Sequence, residues 1–168
     1  MSASPLPPRR DVEQDLSGLV GYRFMYTFGN GWLYELYVKN SKMIDYRVHS
    51  GVVGGRWVKD QPADIRLLDE DGVYKISTHE PTGTCLVLNL FPAKRRVFAT
   101  IFFPRWVEEN PQATVLYQND HLDRMRELRD AGPTYPIQVI PIEATIKLIE
   151  YVGEDNEAVI SSPPPPAS

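Results

Sequence analysis

Alternation of apolar and polar residues with a period of two runs through most of this chain. It predicts strands over residues 22–28, 32–38, 43–49, 53–59, 63–68, 72–78, 85–91, 97–104 and 144–152. The last of these, Ala-Thr-Ile-Lys-Leu-Ile-Glu-Tyr-Val, shows the period most plainly. Turn-forming residues punctuate the runs: Gly29-Asn30-Gly31, Lys39-Asn40-Ser41-Lys42, Asp69-Glu70-Asp71-Gly72 and Pro92-Ala93-Lys94. Strands at such regular spacing predict a mainly β protein, built as an antiparallel barrel or sandwich. Helical spacing is clear once. Leu122, Met125, Leu128 and Arg129 follow a candidate cap at Asn119 or Asp120, and Gly132-Pro133 ends the run. A shorter helix is expected over 11–16, and a helical turn over 106–109 after Pro104.

Length and composition narrow the class. At 168 residues, with 42% hydrophobic and 24% charged residues, the chain suits one globular domain with a proper core. That domain is expected over 11–160, between a loose N-terminal tail at 1–10 and a disordered Pro-rich tail at 161–168. A net charge of −4 argues against a nucleic-acid partner, and Lys94-Arg95-Arg96 reads as a hairpin tip. The single cysteine, Cys85, excludes an internal disulfide framework and reads as a small core filler. No apolar run reaches the ~20 residues of a membrane-spanning helix. The first residues lack the apolar stretch of a secretory signal, so a cytoplasmic location is expected.

Against this ordinary background, three segments keep polar groups where a barrel interior should be apolar. Tyr26, Phe28, Trp32 and Tyr34 lie around the first hairpin, Tyr46 on the next strand, and Arg56 shortly beyond it. In Ile76-Ser77-Thr78-His79-Glu80, alternation puts Glu80 on the same face as Ile76 and Thr78. A polar group inside a small barrel is costly unless it is paired or used. A carboxyl in such low-dielectric surroundings suits proton donation, and a neighbouring Arg56 opposes that and holds it in place. A structural Glu–Arg pair is the competing reading for Glu80 and Arg56. Core packing is the competing reading for most of the aromatics. The histidines, His49, His79 and His121, show no metal-ligand spacing, so no metal site is expected. His79 alternates opposite to Glu80 and should face outward. Nothing marks a dinucleotide, pyridoxal, flavin or thiamine site, so a cofactor-free site is the consistent reading.

Read together, these segments resemble the phenolic acid decarboxylases. The stretches that carry the likeness are Tyr-Thr-Phe-Gly-Asn-Gly-Trp-Leu-Tyr-Glu at 26–35, Ile-Asp-Tyr-Arg-Val-His-Ser-Gly at 44–51 and Gly-Arg-Trp-Val-Lys-Asp-Gln at 55–61. Glu-Pro-Thr-Gly-Thr at 80–84, Thr-Ile-Phe-Phe-Pro-Arg-Trp-Val at 100–107, Tyr-Gln-Asn-Asp-His at 117–121 and Asp-Asn-Glu-Ala-Val-Ile-Ser at 155–161 extend it over nearly the whole chain. The resemblance implies a lipocalin-like antiparallel β-barrel flanked by short α-helices, a homodimer and no cofactor. It implies non-oxidative loss of CO2 from 4-hydroxycinnamic acids (p-coumaric, ferulic, caffeic) to give 4-vinylphenols through a quinone methide. By motif position, Glu80 is the acid/base glutamate, Arg56 the cavity arginine and Tyr26 the first of two ligand-gripping tyrosines. Tyr34, Tyr46, Phe28, Trp32, Thr82 and Thr84 are the expected substrate-binding residues. The tyrosines grip an oxygen anion, at either the phenolate or the carboxylate end.

This chain departs from the family pattern in three places. Phe28 stands where the second gripping tyrosine is usual, Thr78-His79 where Trp-Thr usually precedes the glutamate, and Cys85 where Asp usually follows Gly-Thr. Loss of one oxyanion donor costs ~3 kcal/mol in other enzymes, so altered rate or substrate preference is expected. The alternative function is a lipocalin-like carrier of small phenolic ligands, which would have no need of a buried Glu80–Arg56 pair.

Overall fold

A computed structural model describes residues 2–166; residue 1 and residues 167–168, the outer ends of the two expected tails, lie outside that range. Eight strands run in order: β1 (Tyr22–Phe28), β2 (Leu33–Val38), β3 (Met43–Val48), β4 (Trp57–Asp69), β5 (Val73–His79), β6 (Cys85–Phe91), β7 (Arg96–Phe103) and β8 (Gln138–Tyr151). Each pairs antiparallel with the next, and β8 closes on β1, so the sheet is a barrel. Between β7 and β8 lie two short helices, α1 (Arg105–Glu109) and α2 (Leu122–Ala131). The architecture is mainly β, as the alternation predicts, and closure leaves the sheet no free edge. Among the described residues, no helix is long and apolar enough to cross a membrane.

Alternation sorts the strand residues into an inner and an outer set. Leu36, Ile44, Val48, Val58, Ile76, Leu88, Leu90, Val97 and Ile146 fill the interior. One end of the barrel is plugged by the stretch before β1, where Leu19 is fully buried and Val12 and Leu16 pack against the core. The expected helix over 11–16 is absent. Gln14 instead exchanges two hydrogen bonds with the Leu67 backbone, at 2.9 Å each, which holds the segment flat against the barrel. Tertiary contacts override a weak local helical preference here.

The separate strands expected over 53–59 and 63–68 are one strand, β4. Asp60-Gln61-Pro62 reads as a gap in sequence, but the chain continues through it by a bulge. Lys59 and Asp60 together face Asp45, between the pairs Ile44↔Gln61 and Tyr46↔Val58. Asp60 takes a left-handed φ of 57°, and its N–H donates to Asp45 Oδ1 at 2.7 Å. β8 starts at Gln138, six residues before the expected 144. Pro141 masks the alternation there, and it falls in the part of β8 that pairs with β7 alone. Helix α2 forms where expected but without its expected cap. Asn119 is recruited to the Lys59 backbone, accepting from its N–H at 2.9 Å and donating to its carbonyl at 2.7 Å. Cys85 lies on the outer side of β6, half-buried, rather than in the core.

Beyond β8 the chain crosses the outer wall of the barrel. Tyr37 donates to the Gly153 carbonyl, the Asn156 N–H donates to Tyr37 Oη at 2.9 Å, and Ile160 is fully buried. Residues 161–166 carry no regular structure, though the Ser162 carbonyl accepts from Arg47 Nη1 at 3.2 Å.

Candidate active site

The barrel end opposite the N-terminal plug is where the polar interior residues meet. Tyr26 and Phe28 take alternate inward positions on β1, and Tyr34 on β2 is the cross-strand partner of Tyr26. Tyr46 on β3 lies opposite Val58 on β4. These side chains, with Arg56, Glu80 and Thr84, line one cavity whose remaining walls are Leu36, Ile44, Leu86, Leu88, Ile101 and Phe103. Its greasy walls and few convergent polar groups match the usual makeup of a small-molecule site.

Two tight connections present the charged pair. Glu80 follows β5 and opens the turn to β6: its N–H donates to the Thr84 carbonyl at 2.9 Å, and its carbonyl accepts from the Gly83 N–H at 2.9 Å. Gly83 has a φ of +89°, and a Cβ there would stand 3.3 Å from Arg129 Cγ, so the turn suits only glycine. Thr82 is fully buried, but in the turn's own bonding. Its hydroxyl meets Thr84 Oγ1 at 3.0 Å, and its carbonyl accepts from Trp106 Nε1 at 3.0 Å. Arg56 ends the loop between β3 and β4. There Gly51, with a φ of +105°, lets Trp32 lie against the backbone; a Cβ would meet the indole at 2.6 Å. Trp32 thus buttresses that loop. Neither Trp32 nor Thr82 is among the residues that line the cavity.

The contacts within the pair are uneven. Glu80 and Arg56 are 4% and 3% exposed. Tyr46 donates to Glu80 Oε1. Arg56 Nη1 stands 3.7 Å from Glu80 Oε2, an ion pair without hydrogen-bond contact. Arg56 Nη2 instead donates to Thr114 Oγ1, and Arg56 Nε has no partner. Among the described residues, no group of three or more His, Cys, Asp or Glu side chains is placed to hold a metal ion.

The family described as phenolic acid decarboxylase (PAD) matches residues 16–167. The chain belongs to the phenolic acid decarboxylase family. It is 51% identical over 149 residues to "Phenolic acid decarboxylase PadC" of Bacillus subtilis, covering 89% of this chain and 92% of that protein. It is 50% identical over 155 residues to the "Probable phenolic acid decarboxylase" of Vibrio cholerae, covering 92% of this chain and 88% of that one. Membership makes it an enzyme, a carboxy-lyase.

In this decarboxylase the electrostatics fix which groups donate. Burial pushes the Tyr26 phenol far above its ordinary value, and the neighbouring Tyr34 adds to that. Burial pushes Tyr34 up to about 12, with Arg56 opposing and Glu80 assisting. Tyr46 is raised well above the ordinary phenol range by burial and then by Glu80. Burial works against the Arg56 charge, but Tyr46, Glu80 and Tyr34 outweigh it and hold the guanidinium protonated. At neutral pH the site therefore presents neutral phenol donors and one fixed cation.

Sequence reasoning missed Thr114, which lies 58 residues from Arg56 in the short 3-10 turn Pro111–Thr114. Nothing local marks it. The apolar walls on β6 and β7 were readable as inward positions, but not as walls of this cavity. Gln118 is fully buried with neither amide atom partnered, in a stretch that was legible only as part of a family motif.

Proposed function

We propose that the protein decarboxylates 4-hydroxycinnamic acids such as p-coumaric, ferulic and caffeic acid to 4-vinylphenols and CO2, using no cofactor. The observation that carries this is a carboxyl, Glu80, 4% exposed at the wall of an apolar cavity and bonded to a phenol. Such a substrate contains its own electron sink. Once its para-hydroxyl has given up its proton to water, to be regained after CO2 has left, electron density moves through the ring into the alkene, which takes a proton at Cα. The product is a quinone methide that still carries the carboxylate. The bond from Cα to the carboxylate then breaks, its electron pair forms the vinyl double bond, the ring becomes aromatic again, and CO2 leaves.

Glu80 supplies the proton to Cα and is left as a carboxylate, to be reprotonated from water before the next turnover. Tyr26 and Tyr34, kept neutral by burial, donate to an oxygen anion of the substrate. Tyr46 holds the Glu80 side chain, and Arg56, 3.7 Å away, balances the charge that appears on it. The walls of Leu36, Ile44, Leu86, Leu88, Ile101 and Phe103 keep water from the reacting carbons.

The proposed setting is a cytoplasmic homodimer. A lone, half-buried cysteine suits a reducing compartment. Apolar side chains exposed on the outer wall of β7 and β8, Phe98 at 40% and Val139 at 55%, provide a surface for a second copy. Sedimentation tests the oligomer. Mixing the protein with p-coumaric acid in deuterated water tests the reaction. The reading expects release of CO2 and one deuterium on the terminal vinyl carbon. A shifted ligand spectrum without CO2 would make the protein a carrier.

A further inference from the structure

The guanidinium of Arg56 is fixed from outside the barrel. Its backbone is set by the loop: the Arg56 N–H donates to the Val53 carbonyl at 3.1 Å, and its carbonyl accepts from the Val48 N–H at 2.9 Å. At the far end of the side chain Nη2 donates to Thr114 Oγ1. Thr114 is itself fully buried. Its hydroxyl donates its single proton to the Pro111 carbonyl at 2.7 Å, so only lone pairs are left to face Arg56. The threonine can therefore act toward Arg56 as an acceptor alone.

The segment that carries Thr114 is strapped along β4. Tyr117 stacks on Trp57 with ring centroids 3.9 Å apart and planes 15° from parallel. The Trp57 N–H donates to the Leu116 carbonyl at 3.2 Å, and Asn119 clasps the Lys59 backbone from both sides. The acceptor is thus rigidly placed, and it binds Nη2, whereas Nη1 is the nitrogen nearer Glu80. Nε is unpartnered and Nη1 stands 3.7 Å from Glu80, so the fork lies between the Thr114 acceptor and the neighbouring Tyr46 phenol. A buried guanidinium beside a carboxylate otherwise closes to a direct, often bidentate contact.

We propose that Thr114 is a positioning residue that holds Arg56 short of Glu80, keeping Glu80 free to give up its proton and leaving guanidinium donors for the substrate. This rests on the reading of Glu80 as the proton donor. The titratable and charged groups that face Glu80 are Tyr46 from β3, Tyr34 from β2 and Arg56 from the β3–β4 loop, with Cys85 near it but on the outer side of β6. Of these, Arg56 is the group bonded to Thr114, so substitution there is expected to move the guanidinium and leave the others in place.

The test is the full-length protein with p-coumaric acid, carrying Thr114→Val or Thr114→Ser, followed by kcat and by the pH profile of kcat/KM. Valine keeps the shape and removes the acceptor. The expected result is an about tenfold fall in kcat. The alkaline limb of the profile should also move about one unit to lower pH, because a guanidinium in contact favours the charged carboxylate. Thr114→Ser should restore both. An unchanged profile in a folded Val variant overturns the assignment, and so does a loss of thermal stability with the profile unmoved. If the Val variant does not fold, Thr114→Ala is read by the same two criteria. The two readings fail separately: active Glu80→Gln removes the proton donor, whereas inactive Glu80→Gln beside an unaltered Thr114→Val removes only Thr114.

Discussion

This barrel buries charge on both sides of its wall, and the two sides are built differently. Outside, beneath the C-terminal crossing, Glu35 is 1% exposed and fully bonded. Its Oε1 meets Arg47 Nε at 2.7 Å and His49 Nε2 at 2.8 Å, and its Oε2 meets Arg23 Nη1 at 3.1 Å. Lys39, 2% exposed, reaches Asp45, Asp60 and Glu157, leaving Asp45 Oδ2 with an ion pair at 3.1 Å but no hydrogen bond. Inside, Glu80 has one phenol and a guanidinium held off at 3.7 Å, and that guanidinium carries a donor with no partner. Buried charge with its bonds filled stabilises a fold at best modestly. Buried charge with bonds to spare is costly for the fold, and it is what a bound substrate can use. The difference separates structure from chemistry at residues of the same types, two glutamates and their cations.

Substitutions on the two sides should therefore fail in opposite ways. Arg56→Met should reduce kcat/KM by about a thousandfold, as loss of a transition-state contact does, with a smaller effect on unfolding than the outer variant below. A mainly structural Arg56 would reverse that order. Lys39→Met leaves Asp45 buried without its cation and should lose about 3 kcal/mol of stability while kcat stays unchanged. Denaturant unfolding and a turnover assay on the same sample read both, and a large fall in kcat would mean the outer cluster reaches the site.

The outer wall should also be the acid-sensitive side. Burial pushes the Glu35 carboxyl up, but bonds from Arg47, His49 and Arg23 outweigh it and hold it below its usual value of 4.5. A carboxyl depressed in the folded state adds stability above its unfolded value and loses it as pH falls through the folded one. Unfolding followed from about pH 5 to about pH 3 should show a loss that Glu35→Gln flattens; an equal acid loss in both proteins would place the sensitive carboxyl elsewhere. The mildest change is expected from Phe28→Tyr. The Phe28 ring stands edge-on to Tyr34 and Tyr26, with centroids 5.1 Å and 5.5 Å away. A hydroxyl there adds a donor beside theirs and should raise kcat/KM on p-coumaric acid a few-fold. Identical constants in the two proteins would mean that Tyr34 already supplies what position 28 lacks.

Sequence alone made the inner side legible to an unequal degree. Alternation placed Glu80 on the face of Ile76 and Thr78, and it lies there. The same period placed Tyr26, Phe28 and Tyr34 inward, because a strand leaves a side chain only two directions. Arg56 was expected inside a strand over 53–59, but it lies in the loop before β4, which starts at Trp57, so no strand period places its side chain. Thr114 could not be read at all, since its importance comes from a contact across 58 residues. The missed strand continuity at Asp60-Gln61-Pro62 has a similar cause. A bulge stabilised by the distant Asp45 carboxylate looks like a break to any local reading. The outer cluster was invisible for the same reason: Glu35, Tyr37 and Lys39 alternate as solvent-facing residues, and only the returning C-terminal segment buries them.

The most direct test of the difference between the two walls is turnover by Glu80→Gln, which keeps the shape and the Tyr46 neighbour but has no acidic proton to give. The account predicts a folded protein that binds p-coumaric acid and releases no CO2 above background. Vinylphenol formed at a rate near that of the unaltered protein would contradict it.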